Sequence, residues 1–130
     1  MAFEITFPTR HTDAFAATGL VHAGVLLSLT EMAYAAFEEH CGITKPEPVY
    51  SVQRSTEVVY RSPLRWPEGA TIRVRTIAAS ERGFDQEFDV HSAVDDRLIA
   101  SFTHHWVWFD TDAGRPVEIP EEIRSKLLQG

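Results

Sequence analysis

The stretch VHAGVLLSLTEMAYAAFEEH, residues 21–40, decides the fold of this chain. It contains no proline, and most of its residues favour helices. Its apolar side chains form one wide stripe at helical spacing, made of Val21, Val25, Leu29, Met32 and Ala36 and widened by Leu26, Ala33 and Phe37. An apolar surface of that width predicts a helix enclosed by other structure on most sides. Gly42 is suited to end the helix as a C-terminal cap.

The segments around this helix have the pattern of strands. Residues 3–7 and 71–75 alternate apolar and polar side chains, and residues 49–60 are rich in β-branched and aromatic ones. The five predicted strands are residues 3–7, 49–60, 71–75, 84–92 and 98–110. Short separations between the last three predict antiparallel hairpins, and residues 120–128 predict a short C-terminal helix. This order indicates an α+β fold in which a curved, five-stranded antiparallel sheet wraps around the long helix.

Length and composition limit the classes of function. The 130 residues fit one domain, 1–130, because a second domain needs a longer chain. Twelve basic against 19 acidic residues give a net charge of −7, which disfavours nucleic acid and anionic membranes as partners. Residues 1–11 lack a signal pattern, and no apolar run reaches the roughly 18 residues that a membrane span needs. We therefore expect a cytoplasmic protein.

The cysteine and the histidines do not predict a metal site. Cys41 is the only cysteine, which rules out an internal disulfide. His104 and His105 are adjacent on a predicted strand, so their side chains should point to opposite faces. The sequence has no paired spacing typical of metal ligands. We expect neither a metal nor another cofactor.

Two carboxylates and the start of a helix lie close together in the sequence. Asp13 is in the loop before the predicted helix, and Glu31 lies within it on a face with several small residues. The backbone N–H groups at the helix start, those of His22, Ala23 and Gly24, can polarise a carbonyl oxygen or hold an oxyanion. A nearby carboxylate can activate water or attack the carbonyl carbon. Transfer of an acyl group to water requires these parts.

Each of these residues also has an ordinary structural interpretation. Glu31 fits a solvated helix face together with Glu38. Asp13 fits a turn, where aspartate is favoured. His22 fits a packing position in the first turn of the helix. Spacing alone does not choose between the structural and the catalytic interpretations.

The order of motifs along the chain resembles a known family. Residues 12–15, then 19–26 and Glu31, are similar to the hotdog-fold acyl-CoA thioesterases of the 4-hydroxybenzoyl-CoA thioesterase type. Residues 58–64 and 110–117 resemble the second strand and the ending of that family. The resemblance covers almost the whole chain. It implies a hotdog fold and hydrolysis of an acyl-CoA or a related acyl thioester.

Two branches of this family place the catalytic carboxylate differently. In one branch an aspartate in the loop before the helix acts. Asp13 matches it, with about two additional residues before the helix and with Ala16 or Ala17 where glycine is usual. In the other branch a His-Gly-Gly sequence opens the helix and an acidic residue seven positions later acts, which here corresponds to His22-Ala23-Gly24 and Glu31. The resemblance thus implies Asp13 and Glu31 as catalytic candidates, alone or together.

The resemblance also implies partners. It predicts a homodimer with a sheet continuous across both copies and active sites at the interface, and such dimers often pair into tetramers. Arg61 and Arg65 are candidates for binding the phosphates of CoA, while salt bridges between strands would equally explain arginines there. Three alternatives stay open: hydrolysis of a thioester on an acyl carrier protein, a hydratase or dehydratase, and a non-catalytic acyl-CoA-binding protein.

Overall fold

The computed structural model describes residues 3–130. Met1 and Ala2, the first residues of the predicted domain 1–130, lie outside the described residues. The α-helices of the described part are α1 (Ala23–Cys41) and α2 (Glu121–Gln129), and a 3-10 helix covers His11–Asp13. The strands are β1 (Phe3–Phe7), β2 (Val49–Tyr60), β3 (Ala70–Ala79), β4 (Gly83–Ser92), β5 (Leu98–Asp110) and β6 (Arg115–Pro116).

The strands form one antiparallel sheet in the order β1-β3-β4-β5-β2, and β6 pairs with β5. The predicted α+β fold with five long antiparallel strands is therefore confirmed. The sixth strand, β6, was not predicted, because two residues are too few to show a periodic pattern. No helix within residues 3–130 is long and apolar enough to cross a membrane.

The ends of α1 differ slightly from the prediction. Val21 was expected inside the helix but instead forms an isolated β-bridge with Ala14. His22 caps the helix in an extended conformation, with φ −62° and ψ 141°. At the other end Gly42 has φ 69°, and its N–H donates to the carbonyls of Glu38 and Glu39. Glycine suits this left-handed position because it has no Cβ to collide with the backbone, so the predicted C-terminal cap is confirmed.

One side of α1 packs against the inner face of the sheet. The buried apolar residues of the helix are Leu26, Leu29, Ala33, Tyr34 and Phe37. They belong to one hydrophobic core with inward-facing residues of the central strands, such as Ile72, Phe88 and Phe102. Along β4 and β5 buried residues alternate with partly exposed ones, as expected for strands with one covered face.

The predicted apolar stripe of α1 is displaced. Met32 was assigned to its centre but is 53% exposed, while Leu26, Ala33 and Phe37, assigned to its margin, are buried. Gly24 and Glu31 are also exposed. The expectation of a helix enclosed on most sides is therefore wrong for the single chain, because one sheet covers one side of a helix.

Candidate active site

The loop that carries Asp13 is fastened to the start of α1. The N–H of His22 donates to the backbone carbonyl of Asp13 at 2.9 Å. Nearer the turn of the same loop, the N–H of Phe15 donates to the carbonyl of Leu20 at 2.9 Å. The turn between them closes at Gly19, whose φ of 73° is the left-handed conformation that glycine tolerates best. The additional residues after Asp13 thus form a tight turn and leave Asp13 beside the helix.

The Asp13 side chain is buried and already carries two hydrogen bonds. Its residue exposure is 6%, and its carboxylate accepts from the guanidinium of Arg10 at 2.9 Å and from the Arg10 backbone N–H at 2.8 Å. These bonds hold the pKa of the Asp13 carboxyl below its ordinary value. Asp13 is therefore ionised at neutral pH, which is the state that a nucleophile or a base requires.

A cleft with a volume of about 470 Å³ opens beside this carboxylate. We call it the Asp13 cleft, and its lining includes Arg10, Asp13, Gly24, Val25, Ser28 and Met32. The exposed flank of α1 forms one wall, and the small side chains of Gly24 and Ser28 project little from that wall into the cleft. The cleft brings together an ionised carboxylate and the first turn of a helix.

The backbone amides at the helix start are not equivalent. The His22 amide donates to the Asp13 carbonyl, so in this structure it is engaged within the chain and does not face a substrate. Val25 and Leu26 both donate to the His22 carbonyl. Among residues 3–130, the backbone N–H groups of Ala23 and Gly24 have no backbone acceptor. Both residues lie in the exposed first turn of α1. The His22 ring packs against Phe15 with 4.0 Å between ring centroids, which supports the structural interpretation of that side chain.

A second cleft, of about 370 Å³, lies at the start of α1. We call it the Arg61 cleft, and its lining includes Phe15, Val21, Ala23, Leu26, Tyr60 and Arg61. It is mainly apolar, with the exposed Arg61 among its lining residues. The two clefts share the helix start, since Gly24 lines one and Ala23 lines the other.

Glu31 lies outside both clefts. It is exposed on α1, and its carboxylate has no hydrogen-bond or ion-pair partner among residues 3–130. On the same flank of the helix, Tyr34 donates to Glu38 at 2.8 Å and lies 2.6 Å from the Ser51 hydroxyl of β2. The structure therefore does not place Glu31 in the lining of the Asp13 cleft. Glu31 instead lies on an open, exposed flank of α1.

The predicted CoA-binding arginines are in different situations. Arg61 lines the second cleft, but Arg65 lines neither. The guanidinium of Arg65 donates to the Thr18 carbonyl at 3.0 Å, which braces the turn after Asp13. No group of three or more histidine, cysteine or acidic side chains that could hold a metal ion occurs in the described part of the chain.

A buried polar network beneath α1 escaped the sequence analysis. His104 is completely buried, and its two ring nitrogens lie 2.8 Å from the Thr30 hydroxyl and 2.7 Å from the Thr56 hydroxyl. Burial, and then the neighbouring His105, lower the pKa of His104 to about 4, so the ring is neutral near pH 7. His105 faces the other side of the sheet, as predicted, between Asp85 and Glu57. Strand alternation predicted the opposite directions but not the partners.

The family of the chain follows from its sequence. The model of a family described as the thioesterase-like superfamily matches residues 8–127. The chain belongs to this superfamily. The match includes Asp13, α1 and every strand except β1. No curated protein matches the chain by sequence.

Solved structures with similar folds carry related names. A 1,4-dihydroxy-2-naphthoyl-CoA thioesterase from Synechocystis has a TM-score of 0.85 and 14% identity, over 98% of this chain and 96% of its own. A gentisyl-coenzyme A thioesterase has a TM-score of 0.85 and 19% identity, over 96% and 99%. A DHNA-CoA thioesterase from Staphylococcus aureus has a TM-score of 0.87 and 11% identity, over 96% and 87%. These likenesses confirm the hotdog fold expected for this superfamily member.

Proposed function

We propose that this superfamily member hydrolyses acyl-CoA thioesters to the free acid and CoA. The observation that carries the proposal is the Asp13 cleft, where a buried, ionised carboxylate lies beside the exposed first turn of α1. The names of the similar structures, which are CoA thioesterases, support the choice of CoA as the thiol.

Asp13 serves as the nucleophile in this proposal. Its hydrogen bonds to Arg10 lower the pKa, which weakens it as a base but keeps it ionised. A carboxylate oxygen attacks the thioester carbon, the carbon–sulfur bond breaks, and the thiolate of CoA leaves. Water then cleaves the resulting anhydride and regenerates the carboxylate. The Ala23 and Gly24 amides stabilise the negative charge on the thioester oxygen during the attack.

A second copy of the chain belongs to the proposed active form. β2 is an edge strand, and it exposes Tyr50, Val52, Val59 and Tyr60. An unpaired edge with exposed apolar side chains favours pairing with another strand. Pairing along β2 would also bring the partner towards the open flank of α1 that carries Glu31. Glu31 is the alternative catalytic carboxylate, acting at this interface.

The finer predictions from the resemblance are part of the same proposal. Contact of Arg61 and Arg65 with CoA, assembly of dimers into a tetramer and a cytoplasmic location all belong to it. Arg61 has the stronger support of the two arginines, because it lines a cleft at the start of α1.

Release of free thiol from a panel of acyl-CoA and acyl-carrier-protein thioesters tests the proposed function. The expected result is saturable hydrolysis of at least one aromatic or aliphatic acyl-CoA, faster than that of the same acyl group on a carrier protein. The Asp13→Asn protein is the matched control, because it keeps the size of the side chain and removes its charge. Binding without hydrolysis of every thioester tested would instead identify an acyl-CoA-binding protein.

A further inference from the structure

Five arginines of this acidic chain have no carboxylate partner among residues 3–130. Seven of its 12 basic side chains form ion pairs with aspartate or glutamate. The remaining five, judged over residues 3–130, are Arg54, Arg61, Arg65, Arg82 and Arg115. With 19 acidic residues available, unpaired arginines that lie together call for a physical explanation.

Three of these arginines line two neighbouring cavities that share no lining residue with the Asp13 and Arg61 clefts. The larger cavity has a volume of about 450 Å³ and includes Arg54 and Arg82 in its lining. The smaller one has a volume of about 300 Å³ and includes Arg82 and Arg115. Arg82 and Pro116 line both. The two cavities thus share two lining residues and include three arginines in their linings, and together we call them the arginine recess.

The local backbone presents these arginines outward. Arg54 is the additional residue of a β-bulge, since β2 pairs with β5 through Gln53 and Ser55 and skips the residue between them. Arg82 lies in the tight turn from β3 to β4, which is closed by the Ser80 N–H donating to the Gly83 carbonyl at 2.8 Å. Arg115 belongs to β6, which is tied to the end of β5. All three arginines are exposed.

The acidic groups of the recess are partly neutralised. Asp85 lines the larger cavity, but its carboxylate lies 2.7 Å from Nδ1 of His105. Nε2 of the same ring lies 2.9 Å from Glu57, and the two carboxylates raise the pKa of His105. Glu118, in the smaller cavity, is the remaining acidic lining residue. The three arginines thus outnumber the carboxylates that are free to oppose them.

We propose that Arg54, Arg82 and Arg115 form a binding site for the phosphoryl groups of a nucleotide, separate from the two clefts at the start of α1. Guanidinium groups bind phosphate oxygens in pairs, and several of them around one recess favour a ligand with more than one phosphate charge. A cavity of this volume accommodates part of a nucleotide rather than a bare ion alone.

The phosphoryl groups have two sources. One is the nucleotide part of CoA itself, in which case the inference rests on the proposed function and these three arginines, rather than Arg61 and Arg65, contact the CoA phosphates. The other is a separate nucleotide that binds independently of the acyl thioester. Both sources require the same three arginines, so binding and catalysis must be measured separately.

Calorimetric titration with adenosine 3′,5′-bisphosphate tests the site without any need for hydrolysis. The expected result is saturable binding that weakens with added salt, because the contacts are between charges. The double variant Arg54→Gln/Arg82→Gln should bind at least tenfold more weakly. The control is Arg75→Gln, which also removes one exposed arginine of the sheet, but one that is paired with Glu87. It should bind like the parent protein.

Kinetics then identify the source of the phosphate. A raised KM for acyl-CoA with unchanged kcat, and no change for the acyl-pantetheine analogue that lacks the nucleotide, would show that the site holds CoA. Loss of bisphosphate binding with an unchanged KM for acyl-CoA would show a separate nucleotide. The inference is overturned if the parent protein binds neither adenosine 3′,5′-bisphosphate nor ADP, or if Arg75→Gln weakens binding as much as the double variant does. A protein that binds the bisphosphate but hydrolyses no thioester would refute the proposed function alone.

Discussion

Asp13, in the loop before α1, and Glu31, midway along α1, are both acidic, and their surroundings differ. Asp13 is buried, its carbonyl is bonded to the His22 amide, and its carboxylate is held by Arg10. Glu31 is exposed on the flank of the helix and does not line the Asp13 cleft. Of these two carboxylates, Asp13 is the one that has hydrogen-bond partners and an adjoining cavity within the described chain. Glu31 acquires comparable surroundings only if a second copy covers that flank.

Removing the charge at each position tests this difference most directly. Asp13→Asn should lower kcat at least about a hundredfold, because an amide neither attacks a thioester nor accepts a proton. Glu31→Gln, the matched change on the exposed flank, should lower kcat less than about threefold. Thiol release from one acyl-CoA under saturating conditions measures both. The reverse ranking would move the chemistry to Glu31, and equal large losses would show that both carboxylates act.

The hydrogen bonds from Arg10 should set the acid limit of activity. Arg10→Gln removes the guanidinium bond that lowers the pKa of Asp13, so that pKa should rise towards its ordinary value. The acid limb of kcat/KM should then shift to higher pH, with a loss of about tenfold on that limb and little change near pH 8. A pH–rate profile of both proteins measures the shift. An unchanged acid limb would mean that Arg10 does not affect the ionisation of the reacting group.

Gly24 should matter to the reaction more than to the fold. A Cβ added at Gly24 would meet no atom within 4 Å, and alanine favours a helix over glycine by up to about 1 kcal/mol. Gly24→Ala should therefore keep or slightly raise the thermal stability. It should also lower kcat/KM about fivefold, because a methyl group narrows the approach to the first-turn amides. Thermal unfolding and kinetics on the same sample measure the two effects. Unchanged kinetics would mean that the first turn of α1 is not part of the active site.

The buried network under α1 should affect stability with almost no effect on catalysis. His104→Gln leaves the hydroxyls of Thr30 and Thr56 poorly matched, so we expect a loss of about 1–3 kcal/mol at pH 7 and a kcat within twofold of the parent. The parent should also lose stability as the pH falls from about 6.5 to about 4, because the unfolded chain binds a proton on this histidine that the folded chain excludes.

Urea unfolding at several pH values measures this dependence. The slope of stability against pH between about 6.5 and 4 should be shallower in His104→Gln, because the variant lacks the group that titrates there. An identical slope in both proteins would mean that His104 is not held neutral by the fold.

Much of the fold was predictable because long periodic segments carry their own signal. β1, β2 and β5 have the predicted bounds, since alternation and β-branched residues mark them along their whole length. The start of α1 was not predictable from the sequence. Val21 is apolar, like a residue on the buried face of a helix, and its pairing with Ala14 forms only in the tertiary structure. The exposure of Met32 escaped prediction for a similar reason, since helical spacing does not say which side of a helix the sheet covers.

The candidate site was predictable in its residue types and not in its geometry. Sequence spacing placed Asp13, Ala23, Gly24 and Glu31 near one another, but left open which of them share a cleft. That depends on the turn that closes at Gly19, which sets where the loop meets the helix. The sequence also could not show that the His22 N–H is hydrogen-bonded within the chain. The acceptor is the backbone carbonyl of Asp13, and every residue has a backbone carbonyl.

The bonds between α1 and β2 have a consequence for how the protein opens. An edge strand normally exchanges its amide hydrogens early, because few contacts restrain it. The inner face of β2, however, is joined to the helix through Ser51 and Tyr34, and through Thr56 to the buried ring of His104. β1, the other edge, has five residues, and none of its side chains is completely covered. Hydrogen exchange and limited proteolysis should therefore begin at β1, and β2 should stay closed until the core itself unfolds.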